Sequence, residues 1–143
     1  MKVTDPPVIV TERFEASPSV LWTAITNVIE MRQWYFSELQ EFRAEEGFET
    51  QFTIEFDEKQ YSHVWKIIEV KPQSRIVYDW SYAGLPGRGL VTWELEPDGS
   101  GTRLKLTNSI LEDFPHDDPA FRRESCESGW AYFINQQLKG FVD

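Results

Sequence analysis

The sequence predicts an α+β protein: a curved antiparallel sheet of about six to seven strands, two short helices near the N-terminus, and one long C-terminal helix across the concave face. Three observations carry this. Trp130, Phe133, Ile134, Leu138 and Phe141 fall at i, i+3, i+4, i+8 and i+11, which is one face of an α-helix. The long stretch before them, from about Glu41 to Ile110, repeats with a period of two. Turn-forming clusters, among them Pro97-Asp98-Gly99-Ser100-Gly101, divide that stretch into short segments. An apolar helix stripe needs a surface to cover, and the alternating strands supply it.

After Pro6-Pro7, the row Val10, Glu12, Phe14 alternates with Ile9, Thr11, Arg13, which suits a first strand. Ser17 as N-cap and Pro18 at the first helical position then open a helix, with Val20, Leu21, Ala24, Ile25 and Val28 at helical spacing. A second helical turn, Ile29 to Trp34, is expected after Asn27. From Glu41 the pattern becomes strand-like, with Phe48, Thr50, Phe52, Ile54 and Phe56 on one face and Glu49, Gln51, Thr53 and Glu55 on the other. Tyr61 to Val70 is a further strand, read with Trp65 and Ile67 inward and ended by Lys71-Pro72. Ile76, Tyr78 and Trp80 make the next, then Val91, Trp93 and Leu95 another. Thr102, Leu104, Leu106, Asn108 and Ile110 form the inward row of the last. Short turns between them imply a meander. Asp118-Pro119 repeats the signal of a cap followed by proline, so the closing helix is expected from there to about Phe141, with Gly129 inside it.

At 143 residues, with no linker-like stretch, the chain is expected to be one domain, 1–143. Lys and Arg total 14 against 24 Asp and Glu, a formal net charge of -10, which argues against nucleic-acid binding because that depends on neutralising phosphates. The lone Cys126 has no internal disulfide partner and suits a reducing compartment. No uncharged run of about 18 residues is present to span a bilayer, and the N-terminal residues lack a secretory pattern, so a cytoplasmic protein is expected.

The order of these elements, together with particular residues, resembles a known architecture. The residues are Phe14-Glu15-Ala16-Ser17-Pro18-Ser19-Val20-Leu21-Trp22 with Ala24-Ile25-Thr26, then Gln33-Trp34-Tyr35 and Ile67-Ile68-Glu69-Val70-Lys71-Pro72. They continue through Arg75-Ile76-Val77-Tyr78-Asp79-Trp80, Val91-Thr92-Trp93-Glu94-Leu95-Glu96-Pro97, Gly101-Thr102-Arg103-Leu104-Lys105-Leu106-Thr107 and Gly129-Trp130. The pattern resembles the helix-grip fold of the START and birch-pollen-allergen-like (SRPBCC) superfamily. Within it, the chain is similar to the family named for the activator of the ninety-kilodalton heat-shock protein's ATPase. The resemblance implies a hydrophobic cavity between sheet and helix, in a superfamily that includes co-chaperones, carriers and cyclases.

With 10 Phe, 6 Trp and 5 Tyr, the interior is strongly aromatic. Trp34, Phe52, Ile54, Phe56, Trp65 and Tyr78, with Trp80, Trp93, Leu106 and Asn108, are the candidate ligand-binding residues on the sheet side. Trp130, Phe133 and Gln137 are those on the helix, because ligand pockets are apolar with a few placed polar groups. Pattern alone leaves open whether these rings enclose a cavity or simply fill the core. Asn108 lies on an otherwise apolar row, so its amide must pair with a neighbour or meet a ligand. Tyr78 and Tyr132 offer hydroxyls. His116 beside Asp117 and Asp118 reads as a solvated cap rather than a metal site, and neither a cofactor nor a catalytic constellation is expected. A Glu69 or Asp79 carboxylate acts as a base only if buried. The Gly84-Leu85-Pro86-Gly87-Arg88-Gly89 loop reads as a lip over the cavity mouth, with Arg88 as an anion contact. The expected partner is an apolar small molecule. A chaperone or other protein partner is the alternative, a hydrophobic-substrate enzyme the third reading, and either a monomer or a homodimer is expected.

Overall fold

The computed structural model describes residues 1–143. Six strands form a single antiparallel sheet: β1 (Val8–Phe14), β2 (Glu49–Phe56), β3 (Lys59–Lys71), β4 (Arg75–Tyr82), β5 (Arg88–Asp98) and β6 (Gly101–Glu112). Their order is β1-β6-β5-β4-β3-β2, so β2 to β6 run as a meander and β1 closes onto β6. Val10 pairs with Leu106 and Trp93 with Leu106, which stacks the inward rows across three strands. Trp65 and Ile67 face inward as expected, 0% and 1% exposed. A bulge between Ile67 and Glu69 then shifts the register and turns Ile68 out to solvent.

Two short helices bridge β1 and β2. In α1 (Pro18–Thr26) the Ser17 Oγ accepts from the Val20 amide, and Leu21, Ala24 and Ile25 are buried. Asn27 ends that helix and starts α2 (Val28–Trp34), its Oδ1 accepting from the amides of Ile29 and Glu30. Trp34 is buried and donates its indole N–H to the Ala24 carbonyl at 2.7 Å, which ties the two helices together.

Residues 35–48 correct one expectation: the strand begins at Glu49, and Phe48 precedes it. The segment is irregular but inserts Leu39 and Phe42 into the core. The Arg32 guanidinium holds it by donating to the carbonyls of Leu39 and Gln40. β2 and β3 meet in a two-residue turn, Asp57 and Glu58, both at positive φ.

The closing helix also departs from expectation. Asp118 does cap a turn, accepting from the Ala120 amide, but that turn is one short 3₁₀ segment, Pro119–Phe121. Arg122 is extended, and the helix proper starts at Arg123 as α3 (Arg123–Ala131). It widens into a π-helical stretch over Tyr132–Leu138 and closes as α4 (Lys139–Val142). Trp130, Ile134 and Leu138 are buried against the sheet at a spacing of four, with Phe133 and Phe141 half-buried beside them. The arrangement is the helix-grip fold.

Candidate functional site

The buried apolar residues form two separate clusters. A core of 23 joins the sheet, α1, α2 and the C-terminal helix, and a satellite of four, Tyr61, Ile110, Phe114 and Phe121, sits beneath the 113–121 loop. Between the two packed groups lies a partly open pocket of about 170 Å³.

Its sheet wall is Trp80, Tyr82, Gly89 and Asn108, from β4, β5 and β6. Ser125, Cys126, Gly129, Trp130 and Phe133 of the C-terminal helix form the opposite wall. Phe36 closes the side toward the main core, and Met1, Phe114, Ala120 and Phe121 close the side toward the satellite. The Met1 segment is stapled over that end: its carbonyl accepts from the Phe114 amide at 3.0 Å and its amino group donates to the Phe121 carbonyl at 2.7 Å. Ten of the fourteen wall residues are hydrophobic, so the polar chemistry is confined to a few groups.

The polar side chains among them stay neutral. The Asn108 Nδ2 donates to the Cys126 Sγ at 3.2 Å, which is how the amide on an apolar row is satisfied. Burial pushes the Cys126 thiol up, and it pushes the Tyr82 hydroxyl well up, so both keep their protons at ordinary pH. A buried thiol of this kind is a poor nucleophile.

The residues singled out from sequence divide. Trp80, Asn108, Trp130 and Phe133 stand on the pocket wall. Trp34, Phe52, Trp65, Tyr78, Trp93 and Leu106 are buried in the packed core instead. There Tyr78 is consumed internally: its hydroxyl accepts from the Trp93 indole at 3.0 Å and pairs with the Tyr35 hydroxyl at 3.2 Å. Ile54 is half-buried on the core, while Phe56 is 62% exposed, because β2 runs past the cover of the helix toward its turn. Gln137 is half-buried in the π-helical stretch, away from the pocket, and Tyr132 points to solvent.

The charged candidates are also paired off. Arg88 bonds Asp79 at 2.6 Å and Glu112 at 2.7 Å, leaving it no role as an anion contact. Glu69 bonds Arg75 at 3.0 Å, and that hydrogen bond, against some burial, holds its carboxyl below the usual range, the reverse of what a base needs. The loop before β5 is not a loose lip, since Gly87 has φ +112° and a Cβ there would lie 2.3 Å from the Phe114 ring. Sequence reasoning missed Phe36, Tyr82, Phe114, Phe121 and Met1. Two large aromatics flanking Pro115 and Asp118-Pro119 in a polar loop were the available signal.

The family model described as "Activator of Hsp90 ATPase homolog 1-like protein" matches residues 15–143. The chain belongs to this family. The activator-homologue family lies within the SRPBCC superfamily, and solved structures agree with that placement. Protein CV1439 from Chromobacterium violaceum is 22% identical, covering 95% of this chain and 96% of that one, with a TM-score of 0.78. Protein MLL2253 from Mesorhizobium loti is 25% identical over 96% and 97% of the two chains, with a TM-score of 0.75. DynU16, a protein of the dynemicin biosynthetic locus, is 21% identical over 96% of this chain and 47% of its own, with a TM-score of 0.74. No protein of curated function matches the sequence. As in the sequence, no helix is long and apolar enough to cross a membrane.

Proposed function

We propose that this activator-homologue chain is a small-molecule-binding protein that holds an apolar or aromatic ligand in the pocket between C-terminal helix and sheet, without covalent chemistry. The observation that carries it is the pocket itself: about 170 Å³ between two packed clusters, walled mostly by hydrophobic residues and furnished with one neutral amide–thiol pair. A concave, mostly apolar wall with a few placed polar groups is the usual form of a small-molecule site. The structural likeness to a protein of a biosynthetic locus for a small molecule supports the same reading. We take residues 1–143 to act as one domain in a reducing, cytoplasmic setting, which suits a single unpaired cysteine.

The small apolar fluorophore naphthalene should bind the folded protein saturably at one site per chain. Phe133→Ser, at a half-buried wall position, should weaken that uptake by about tenfold. Absence of uptake by protein with a native melting transition would remove the proposal.

The family description favours a second reading, a protein-interaction module that stimulates a chaperone ATPase. A net charge of -10 would dock a basic surface, and such docking weakens as salt screens it. Stimulation of a purified chaperone's ATPase that declines from low to high salt would favour this reading. Salt-insensitive fluorophore uptake without stimulation would favour the first.

A further inference from the structure

Cys126, Gly129, Trp130 and Phe133 stand at i, i+3, i+4 and i+7, the helix face that borders the pocket. Gly129 is the odd member of that face. Its backbone is ordinary for a helix, and a Cβ built on it meets no atom within 4 Å. Neither a turn nor a close approach calls for glycine here, although glycine weakens a helix interior. What its missing side chain preserves is open space on the pocket wall.

The size and chemistry of that space narrow the guest. About 170 Å³ is close to the engineered cavity of about 150 Å³ that takes up benzene, and it falls short of the roughly 300–1,000 Å³ of pockets for larger ligands. No wall side chain is charged, and the nearby guanidinium groups of Arg88 and Arg123 already pair with Asp79 and Glu127. The Met1 amino group borders the pocket but is turned to the Phe121 carbonyl. A cationic guest would lose hydration with no carboxylate free to meet it. The Asn108 Oδ1 makes no hydrogen bond within the chain and lies above Gly89, where a Cβ would be 3.2 Å away. It is placed to accept from a hydroxyl.

We propose that Gly129 reserves the pocket for a single-ring aromatic ligand bearing a hydroxyl, which donates to Asn108, and that the site discriminates against cationic and long-chain molecules. This rests on the reading of the pocket as a small-molecule site. The test titrates the protein with para-cresol, toluene, para-methylbenzylammonium and dodecanol, following the emission of the wall tryptophans Trp80 and Trp130. Para-cresol should saturate one site per chain, with para-methylbenzylammonium and dodecanol weaker by about tenfold or more. Gly129→Leu should abolish cresol binding without lowering the melting temperature. Gly129→Met carries the same expectation should the leucine variant fail to fold, and Asn108→Leu should erase the preference for cresol over toluene. Cresol affinity unchanged in a folded Gly129 variant, or para-methylbenzylammonium binding as tightly as cresol, overturns the inference. Dodecanol binding better than cresol, with naphthalene uptake intact, overturns it while leaving the pocket reading in place. Folded wild-type protein that takes up none of these ligands, naphthalene included, overturns both.

Discussion

His63 shows how far a single side chain can set solution behaviour. It is 6% exposed, stacks on Phe52 with ring centroids 4.9 Å apart, and meets Phe36, Trp80 and Tyr82 on its other sides. With its proton on Nδ1, it donates to the Tyr61 carbonyl at 3.0 Å. Burial dominates and pushes its pKa down to about 4, against an ordinary 6.5. The folded state therefore holds the ring neutral while the unfolded chain takes up a proton. The stabilisation is complete above pH 6.5 and is lost as pH falls toward 4, amounting to about 3 kcal/mol across that window. Urea midpoints should fall steadily from pH 7 to pH 4.5 in the wild type. His63→Phe, which keeps the stack, should flatten that limb; an equally steep limb in the variant would show that other groups cause it.

Among the elements, the cap residues show local chemistry at its most readable. Asn27 serves two helices at once, ending α1 and capping α2 with two amide bonds to one oxygen. Asn27→Ala should cost about 1 kcal/mol, and Ser17→Ala, which loses one bond at 3.3 Å, should cost no more. Chemical denaturation ranks the two; a larger loss at Ser17 would contradict the double role. Ser17-Pro18 and the period-two rows of β5 and β6 were legible in the sequence because each signal is local and repeats, whereas β3 is apolar on both faces, with His63, Trp65 and Ile67 against Val64 and Ile68, so its pattern did not mark the inner one. The segment 35–48 was not, since Leu39 and Phe42 reach the core from backbone without a period, held by Arg32 from another element. The break at Arg122 was hidden for a related reason: Asp118-Pro119 signals a start, but burial of Phe121 in the satellite cluster decides that the turn stops. The candidate site suffered most. Inward-facing rings such as Trp65 and Trp93 share one sequence pattern whether they fill space or border it. Four of the thirteen candidates reached the pocket wall, while Phe114 and Phe121 came from a loop.

At the scale of the molecule, the C-terminal helix is fastened unevenly. Toward its end, Ile134 and Leu138 are fully buried and Lys139 donates to the Arg13 carbonyl at 2.6 Å. The Asp143 carboxylate there accepts from the amides of Glu15 and Ala16. Over the pocket, α3 buries only Trp130, and its first turn is held by Arg123 donating to the carbonyls of Pro6 and Pro7. Amide hydrogen exchange should accordingly be fastest across residues 123–129 and slowest across 134–142. Uniform protection along the helix would contradict this. A helix pinned hardest at its far end leaves its opening turn, moored to two proline carbonyls, as the stretch that gives way first under denaturant.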